Sequence, residues 1–592
     1  MRYFILIILI AIILITPIYA LKETTIYLPA VEETDYGDEG ILAILTVNIK
    51  QGNGHVYVDT WPLTKIDTQV SARTAKKVAC DLLYMDCSHY DFFYTIRSDA
   101  QIVGGPSGGA AMTIATLASL LDLNITNNVF ITGTINLDSS IGPVGGILEK
   151  AEAVSKKGKT FLIPYGESIV ERKKVRRETI GYITIEKTTP EQINVVDYAK
   201  KHWNLTVKEV RTIREAFEYF TGYKIKELRL KFKKTKEYQR VMKKLADELI
   251  SRATELKKSC IKKLNESTIS YNYRDQILKI CEDNLEKARD NYNNGNYYAS
   301  ASIAFSKLIS YRYGEKLIEF LESDDEKFYL RDYLKNIEEN IFGINTSNIE
   351  LYAIIEERLS EVYEKLDEAW RNYYNENYLQ GLHYGSFAEE RLYTANLWMK
   401  YANEFPSYIE NQSEFLKDIA NRMISEASSI ITYSSLTSSN SYLNSARNLL
   451  ERARDNYKDG NYYAAIIYSL KSQANAELAS EILFKDKDYL LELHRKNALV
   501  AINKTKSIIG QSYFEYAQTL EDDNQEASLI YYTYAKKLSK LSEILNKEIE
   551  KDMIIPTEYI ERISCNYENY YNLTIFISIM IFFAGLLIGK KL

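Results

Sequence analysis

The hydrophobic periodicity of the chain changes near Lys224, and one core cannot serve both patterns. Between about Glu23 and Gly222 short apolar runs alternate with helical stretches. Ile41–Ile49 has strand spacing, Gly52-Asn53-Gly54 marks a turn, and His55–Asp59 reads as the return strand. Asp67–Leu83 has helical spacing, Phe92–Ile96 is strand-like, and Ser107–Leu121 is a helix rich in small residues. Val129–Thr132 and Thr160–Ile163 read as buried strands around a helix at Leu148–Lys157. Glu215–Phe220 reads as a last helix stopped by Gly222. The mixture predicts an α/β domain over residues 21–224.

Beyond it the strand signal disappears. Residues 225–569 are long helical stretches rich in Glu, Lys, Ala, Leu and Tyr, and predict an all-α repeat domain. The run Ala288-Arg289-Asp290-Asn291-Tyr292 through Gly295-Asn296-Tyr297-Tyr298-Ala299 recurs from Ala453 to Ala464, with a weaker copy from Ala369 to Tyr378. Alanine and tyrosine four apart share a helix face, glycine or asparagine permits the turn, and the next tyrosines start an antiparallel helix. The copies lie 81 and 84 residues apart, too far for a tetratricopeptide unit. They read as helical hairpins with an added helix. Tyrosines at such spacing are core in one reading and a substrate grip in another.

Both ends are apolar. Arg2 precedes the run Tyr3–Ile15, so residues 1–20 read as an export signal, with cleavage after Ala20 or retention as an N-terminal anchor both open. Residues 570–592 carry Leu573–Ile588 between Tyr570-Tyr571 and Lys590-Lys591, the pattern of one transmembrane helix with a short cytoplasmic tail. The expected placement is therefore a cell-membrane protein whose larger domains are extracytoplasmic. A net charge of −6 gives no basic footprint for nucleic acid. Five cysteines leave one unpaired within a monomer, with Cys565 the expected odd one. Cys260 and Cys281 flank a turn near Tyr271 and are expected to pair. Cys80 and Cys87 can pair only if the helix carrying Cys80 ends between them.

The chemistry concentrates in three stretches: Gly104-Gly105-Pro106-Ser107-Gly108-Gly109, Thr132-Gly133-Thr134-Ile135, and Gly142-Pro143-Val144-Gly145-Gly146 followed by Ile147-Leu148-Glu149-Lys150. A serine hydroxyl is a poor nucleophile until a base takes its proton. Gly104 and Gly105 allow a sharp bend, Pro106 favours helix entry, and the Ser107 and Gly108 amides are placed for an oxyanion. The glycine-rich turn by itself fits an anion-binding turn or close packing equally well. Lys150, 43 residues later, follows Ile147 and Leu148. A desolvated lysine loses its proton readily and serves as a base, whereas a solvated one is a surface charge. Thr132 supplies a hydroxyl able to hold a neutral amine.

In order, spacing and flanking residues these stretches resemble the proteolytic core of the Lon family of serine proteases, over about sixty residues (Gly104–Pro164) and more loosely over 23–222. They are most similar to secreted or membrane-anchored Lon-like proteins without an ATPase module. The resemblance implies Ser107 as nucleophile, Lys150 as general base and Thr132 as the residue orienting the lysine. It implies an endopeptidase acting on proteins or peptides, without cofactor, and leaves homo-oligomerisation open. Many Lon proteases have an acidic residue where this chain has Gly104 and alanine where it has Gly108, although secreted members also show Gly-Gly-Pro-Ser.

No GxxxxGK[ST] phosphate loop, HExxH or Cys-x-x-Cys spacing occurs, so neither ATP nor zinc is expected. The alternatives are a non-catalytic scaffold that binds exported proteins through its helical repeats, and a chain that processes only itself.

Overall fold

The computed structural model describes residues 23–34, 37–64, 66–103, 105–180, 183–227, 230–346, 348–405, 413–484 and 486–541. The expected export signal, the expected C-terminal span, Cys565 and Gly104 lie outside them. Among the described residues no helix is long and apolar enough to cross a membrane. A mixed α/β region is followed by a helix-rich one, and the described residues form two compact units: 23–227 with 480–484, and 230–479 with 486–541.

The first unit opens with β1 (Thr24–Thr34), β2 (Gly37–Gln51), β3 (Val56–Thr64), α1 (Ile66–Leu83) and β4 (Tyr90–Val103). Their sheet has the order β1-β2-β4-β3. His55–Asp59 is therefore not the return strand of a hairpin with Ile41–Ile49. β4 lies antiparallel to β2 and parallel to β3, between the two. The Asp91 carboxylate accepts from the amides of Asn53 and His55 (2.9 and 2.8 Å), so the glycine-rich turn is tied to β4 and opens to admit it.

Pro106–Gly108 form one 3-10 turn and α2 (Gly109–Leu120) follows, two residues later than the sequence suggests. Every residue of α2 is buried, which only small or apolar side chains permit at such close packing. Thr113 and Thr116 donate to the carbonyls of Gly109 and Met112, one turn back, while the Ser119 hydroxyl donates to Thr24 Oγ1 of β1 at 2.8 Å. α2 packs on α1, β1 and β2 in a core that includes Leu45, Phe92, Ile114 and Phe217.

Next come β5 (Val129–Ile131), the short antiparallel pair β6 (Thr134–Ile135) and β7 (Ile141–Gly142), α3 (Ile147–Ser155) and β8 (Thr160–Pro164). β5 and β11 (Thr206–Val210) lie parallel on either side of β8. A second core of Phe130, Ile147, Leu148, Phe161 and Val207 joins that sheet to α3 and α4 (Val195–Trp203). Among the described residues β9 (Ile169–Ile180) and β10 (Ile183–Asn194) pair only with each other. α5 (Ile213–Thr221) ends at Gly222, as its sequence signals.

In the second unit the repeat is a recurring turn between helices. α8 (Glu286–Asn293) leads into α9 (Tyr297–Leu321), α11 (Ile349–Tyr374) into α12 (Tyr378–Tyr401), and α14 (Ser441–Lys458) into α15 (Tyr462–Glu481). At each turn Asn291, Asn372 or Asn456 accepts through its carbonyl from the amide of Asn296, Asn377 or Asn461. The left-handed position falls on Gly295, Glu376 and Gly460 (φ +75°, +60° and +83°). Two of the following helix starts are met by a carboxylate from elsewhere in the unit. Glu515 accepts from the Tyr298 amide and Glu356 from the Ala464 amide (2.7 and 2.8 Å). Of the tyrosines in this unit Tyr238, Tyr311 and Tyr532 are fully buried and Tyr373 and Tyr463 of the repeat turns are buried, while Tyr292, Tyr297, Tyr298, Tyr378, Tyr457 and Tyr462 are half-buried against the core and Tyr374 is exposed.

The expected disulfide Cys260–Cys281 is formed between α6 (Lys236–Glu266) and α7 (Tyr271–Glu282), with Cα atoms 5.8 Å apart. Cys80 and Cys87 also pair, with Cα atoms 6.2 Å apart, because α1 ends at Leu83 between them.

Candidate active site

Ser107, Thr132 and Lys150 come from three separate segments of the first unit. Ser107 occupies the middle of the 3-10 turn that precedes α2, and its side chain is partly open to solvent. The Gly133 amide donates to the Ser107 carbonyl (3.0 Å) and the Ala110 amide donates to the Gly133 carbonyl (3.1 Å), so the serine turn and the end of β5 are tied together. Thr132 extends β5 by donating its amide to Leu162 of β8 (3.1 Å).

Lys150 stands in the first turn of α3. Gly146 caps that helix with φ +67°, and a Cβ there would meet Val31 Cγ2 at 2.5 Å, so glycine is required by both conformation and space. The close approach of α3 to β1 and β2 buries the lysine, which is 4% exposed. Burial removes water from its ammonium and lowers its pKa from 10.5 to about 8, against the opposing pull of neighbouring Glu149. Nζ donates to the Gly145 carbonyl at 2.9 Å. The lysine is thus desolvated, not the solvated surface charge that its residue type alone suggests.

Thr132 is fully buried, and its Oγ1 has no hydrogen-bond partner among the described residues. An unpaired buried hydroxyl is costly, and a neutral amine is the kind of partner that satisfies it. No hydrogen bond joins Ser107 Oγ to Lys150 Nζ. The link from serine to lysine runs through the frame: Ser107 to Gly133, the β6–β7 ladder that pairs Thr134 with Gly142, and three residues on, the Gly145 carbonyl that holds Nζ. Ser107 and Gly108, whose amides are expected to face an oxyanion, sit in the 3-10 turn, while the Gly109 amide donates to the Pro106 carbonyl.

One residue of this locus was not singled out from sequence. Asp67, in the first turn of α1, is buried, and its Oδ2 accepts from the amide of Gly105 at 2.9 Å. Its Oδ1 accepts from the Thr68 amide at 2.7 Å. The sequence signal was present but ambiguous, because an aspartate at a helix start is usually only a favourable charge there.

Residues 76–188 match the Lon protease (S16) C-terminal proteolytic domain. The chain is 37% identical over 98 residues to a Lon protease of Paraburkholderia phytofirmans, covering 16% of this chain and 12% of that protein. It is 42% identical over 77 residues to a Lon protease of Buchnera aphidicola, covering 13% of this chain and 10% of the relative. With a Lon protease of Helicobacter pylori it is 29% identical over 153 residues, 25% of this chain and 17% of the relative. The chain thus spans less than a fifth of the length of these curated relatives. The likeness is to their proteolytic domain, and it supports a serine peptidase.

Proposed function

We propose that this chain, built on a Lon-type proteolytic domain, is an ATP-independent serine endopeptidase anchored in the cell membrane and acting on proteins or peptides outside the cytoplasm. Ser107 Oγ attacks the substrate carbonyl and Lys150, once neutral, takes the hydroxyl proton. The amides of Ser107 and Gly108 stabilise the oxyanion, and the lysine returns the proton to the leaving amine. Water then releases the acyl group by the same route. Thr132 Oγ1 holds the neutral amine.

The observation that carries this reading is the desolvated Lys150, with a pKa lowered to about 8 and its Nζ held by the Gly145 carbonyl, in the same unit as a serine held in a partly solvent-exposed turn. A scaffold gains nothing from burying an ammonium, which opposes folding at neutral pH. Membrane anchoring rests on the apolar segments of residues 1–20 and 570–592, and ATP independence on the extracytoplasmic placement those segments imply. A casein or peptide-library digest by the full chain in detergent, with and without Ser107→Ala, tests the chemistry. Undiminished cleavage by Ser107→Ala would overturn it. External protease added to intact cells should reach the helical region; digestion only after lysis would refute the topology.

A further inference from the structure

We infer that Asp67 is a positioning residue for the nucleophile, fixing the turn that carries Ser107 from a helix 38 residues upstream; this rests on the serine-peptidase reading of that turn. The turn is held at both ends. Before the serine, the Gly105 amide donates to Asp67 Oδ2 at 2.9 Å. After it, the Ser107 carbonyl accepts from the Gly133 amide at 3.0 Å. Pro106, between the two, has no amide to offer. Gly105 itself has φ +108°, a conformation that L side chains rarely adopt and that glycine reaches as one of several, so its hydrogen bond to Asp67 selects one of them.

Asp67 suits that task. It is 7% exposed, and its second oxygen is engaged by the Thr68 amide and, at 3.3 Å, by the Thr68 hydroxyl. The carboxylate is therefore pinned to the start of α1 with one oxygen left for the loop, and α1 packs directly against the 3-10 turn. A Cβ at Gly105 would have Ser107 Oγ as its nearest neighbour, at 3.9 Å. Turning Gly105 thus moves the surroundings of the nucleophile first. Asp67 touches no reacting atom; it acts on Ser107 through the backbone.

Asparagine at 67 has one oxygen for two donors and sets an amide NH2 against the other, so it breaks half of this arrangement at nearly constant size. In the full chain, Asp67→Asn and Asp67→Ala are expected to lower kcat roughly 10–100-fold, the scale of a misplacement near 1 Å, with KM little changed. The pH midpoint of the rate should stay where Lys150 sets it. Labelling of Ser107 by a fluorophosphonate should slow in parallel, and the Gly105 amide should exchange faster with deuterium in both variants. Retained Cys80–Cys87 pairing and retained protection of α2 distinguish misplacement from failure to fold, and a variant that loses both overturns the positioning role in favour of a structural one. Unchanged Gly105 exchange in Asp67→Ala, a KM effect with kcat preserved, or a shifted pH midpoint each overturns the inference. Hydrolysis surviving Ser107→Ala instead defeats the underlying serine-peptidase reading, whatever Gly105 does.

Discussion

Replacing Lys150, the proposed general base, should make the first unit more stable at neutral pH. Burial lowers the Lys150 pKa from 10.5 to about 8, so below pH 8 the folded state carries an ammonium that is better solvated in the unfolded chain. At about 1.4 kcal/mol per unit, that penalty is about 3 kcal/mol. Lys150→Met keeps the apolar stem and removes the charge. It also removes the donor to the Gly145 carbonyl, a loss of about 1 kcal/mol. The net gain at pH 6.5 is then about 2 kcal/mol.

The sign follows from proton counting. Between 8 and 10.5 the unfolded chain binds the proton and the folded one does not, so wild-type stability rises with pH across that window. The advantage of the variant should therefore vanish near pH 10. In a Trp370→Phe/Trp398→Phe background the remaining tryptophans, Trp61 and Trp203, both lie in the first unit, and urea unfolding followed by their fluorescence reads that unit alone. A variant inactive towards casein yet more stable at pH 6.5 meets the expectation. Equal destabilisation at pH 6.5 and pH 10 would mean that the lysine is not held at a desolvation cost, and the argument for a neutral base would fail.

The same pKa sets the rate profile: turnover should rise with pH to a plateau above about 8, without ATP or metal, and Lys150→Arg should be inactive because guanidinium does not give up its proton. Wild-type-like peptide hydrolysis by Lys150→Arg would refute the dyad. Glu376 takes the left-handed position that glycine fills in the other two repeat turns, so Glu376→Gly should stabilise the helical unit by about 0.5–1 kcal/mol in thermal unfolding, and Gly295→Ala should destabilise it. Burial raises the Glu356 carboxyl from 4.5 to about 7 despite the amides of Ala464 and Tyr463 that favour its charged form. The folded state therefore keeps a proton that the unfolded chain loses, and this residue makes stability fall as pH rises from 4.5 to 7. Glu356→Gln should flatten that slope, and a slope unchanged from wild type in urea titrations would show the carboxyl to be solvated.

Local sequence signals were sufficient wherever the determining contacts are local. The helix of α1, the buried character of α2, the glycine stop at Gly222 and the repeat turns depend on spacing and on one or two residues at each boundary. β9 was hidden because Arg172, Lys173, Lys174, Arg176 and Arg177 mask its period, and its strand is defined by pairing with β10. The apparent hairpin of β2 and β3 failed for a different reason: Asp91, some forty residues from the turn, binds its amides and brings β4 between the strands.

The candidate site divides along the same line. Ser107 and Lys150 are conspicuous because their own neighbours are unusual, glycines and a proline for the one, glycines and an apolar pair for the other. What neighbours cannot disclose is desolvation, which for Lys150 comes from the approach of α3 to β1 and β2 and is what fits it to the proposed role of base. Asp67 is the opposite case. Nothing around it in sequence sets it apart from any aspartate at a helix start, and its importance lies wholly in an amide 38 residues away. Residues whose chemistry is their own are legible from sequence, whereas residues that act by holding another's backbone become visible only once the fold has brought the two together.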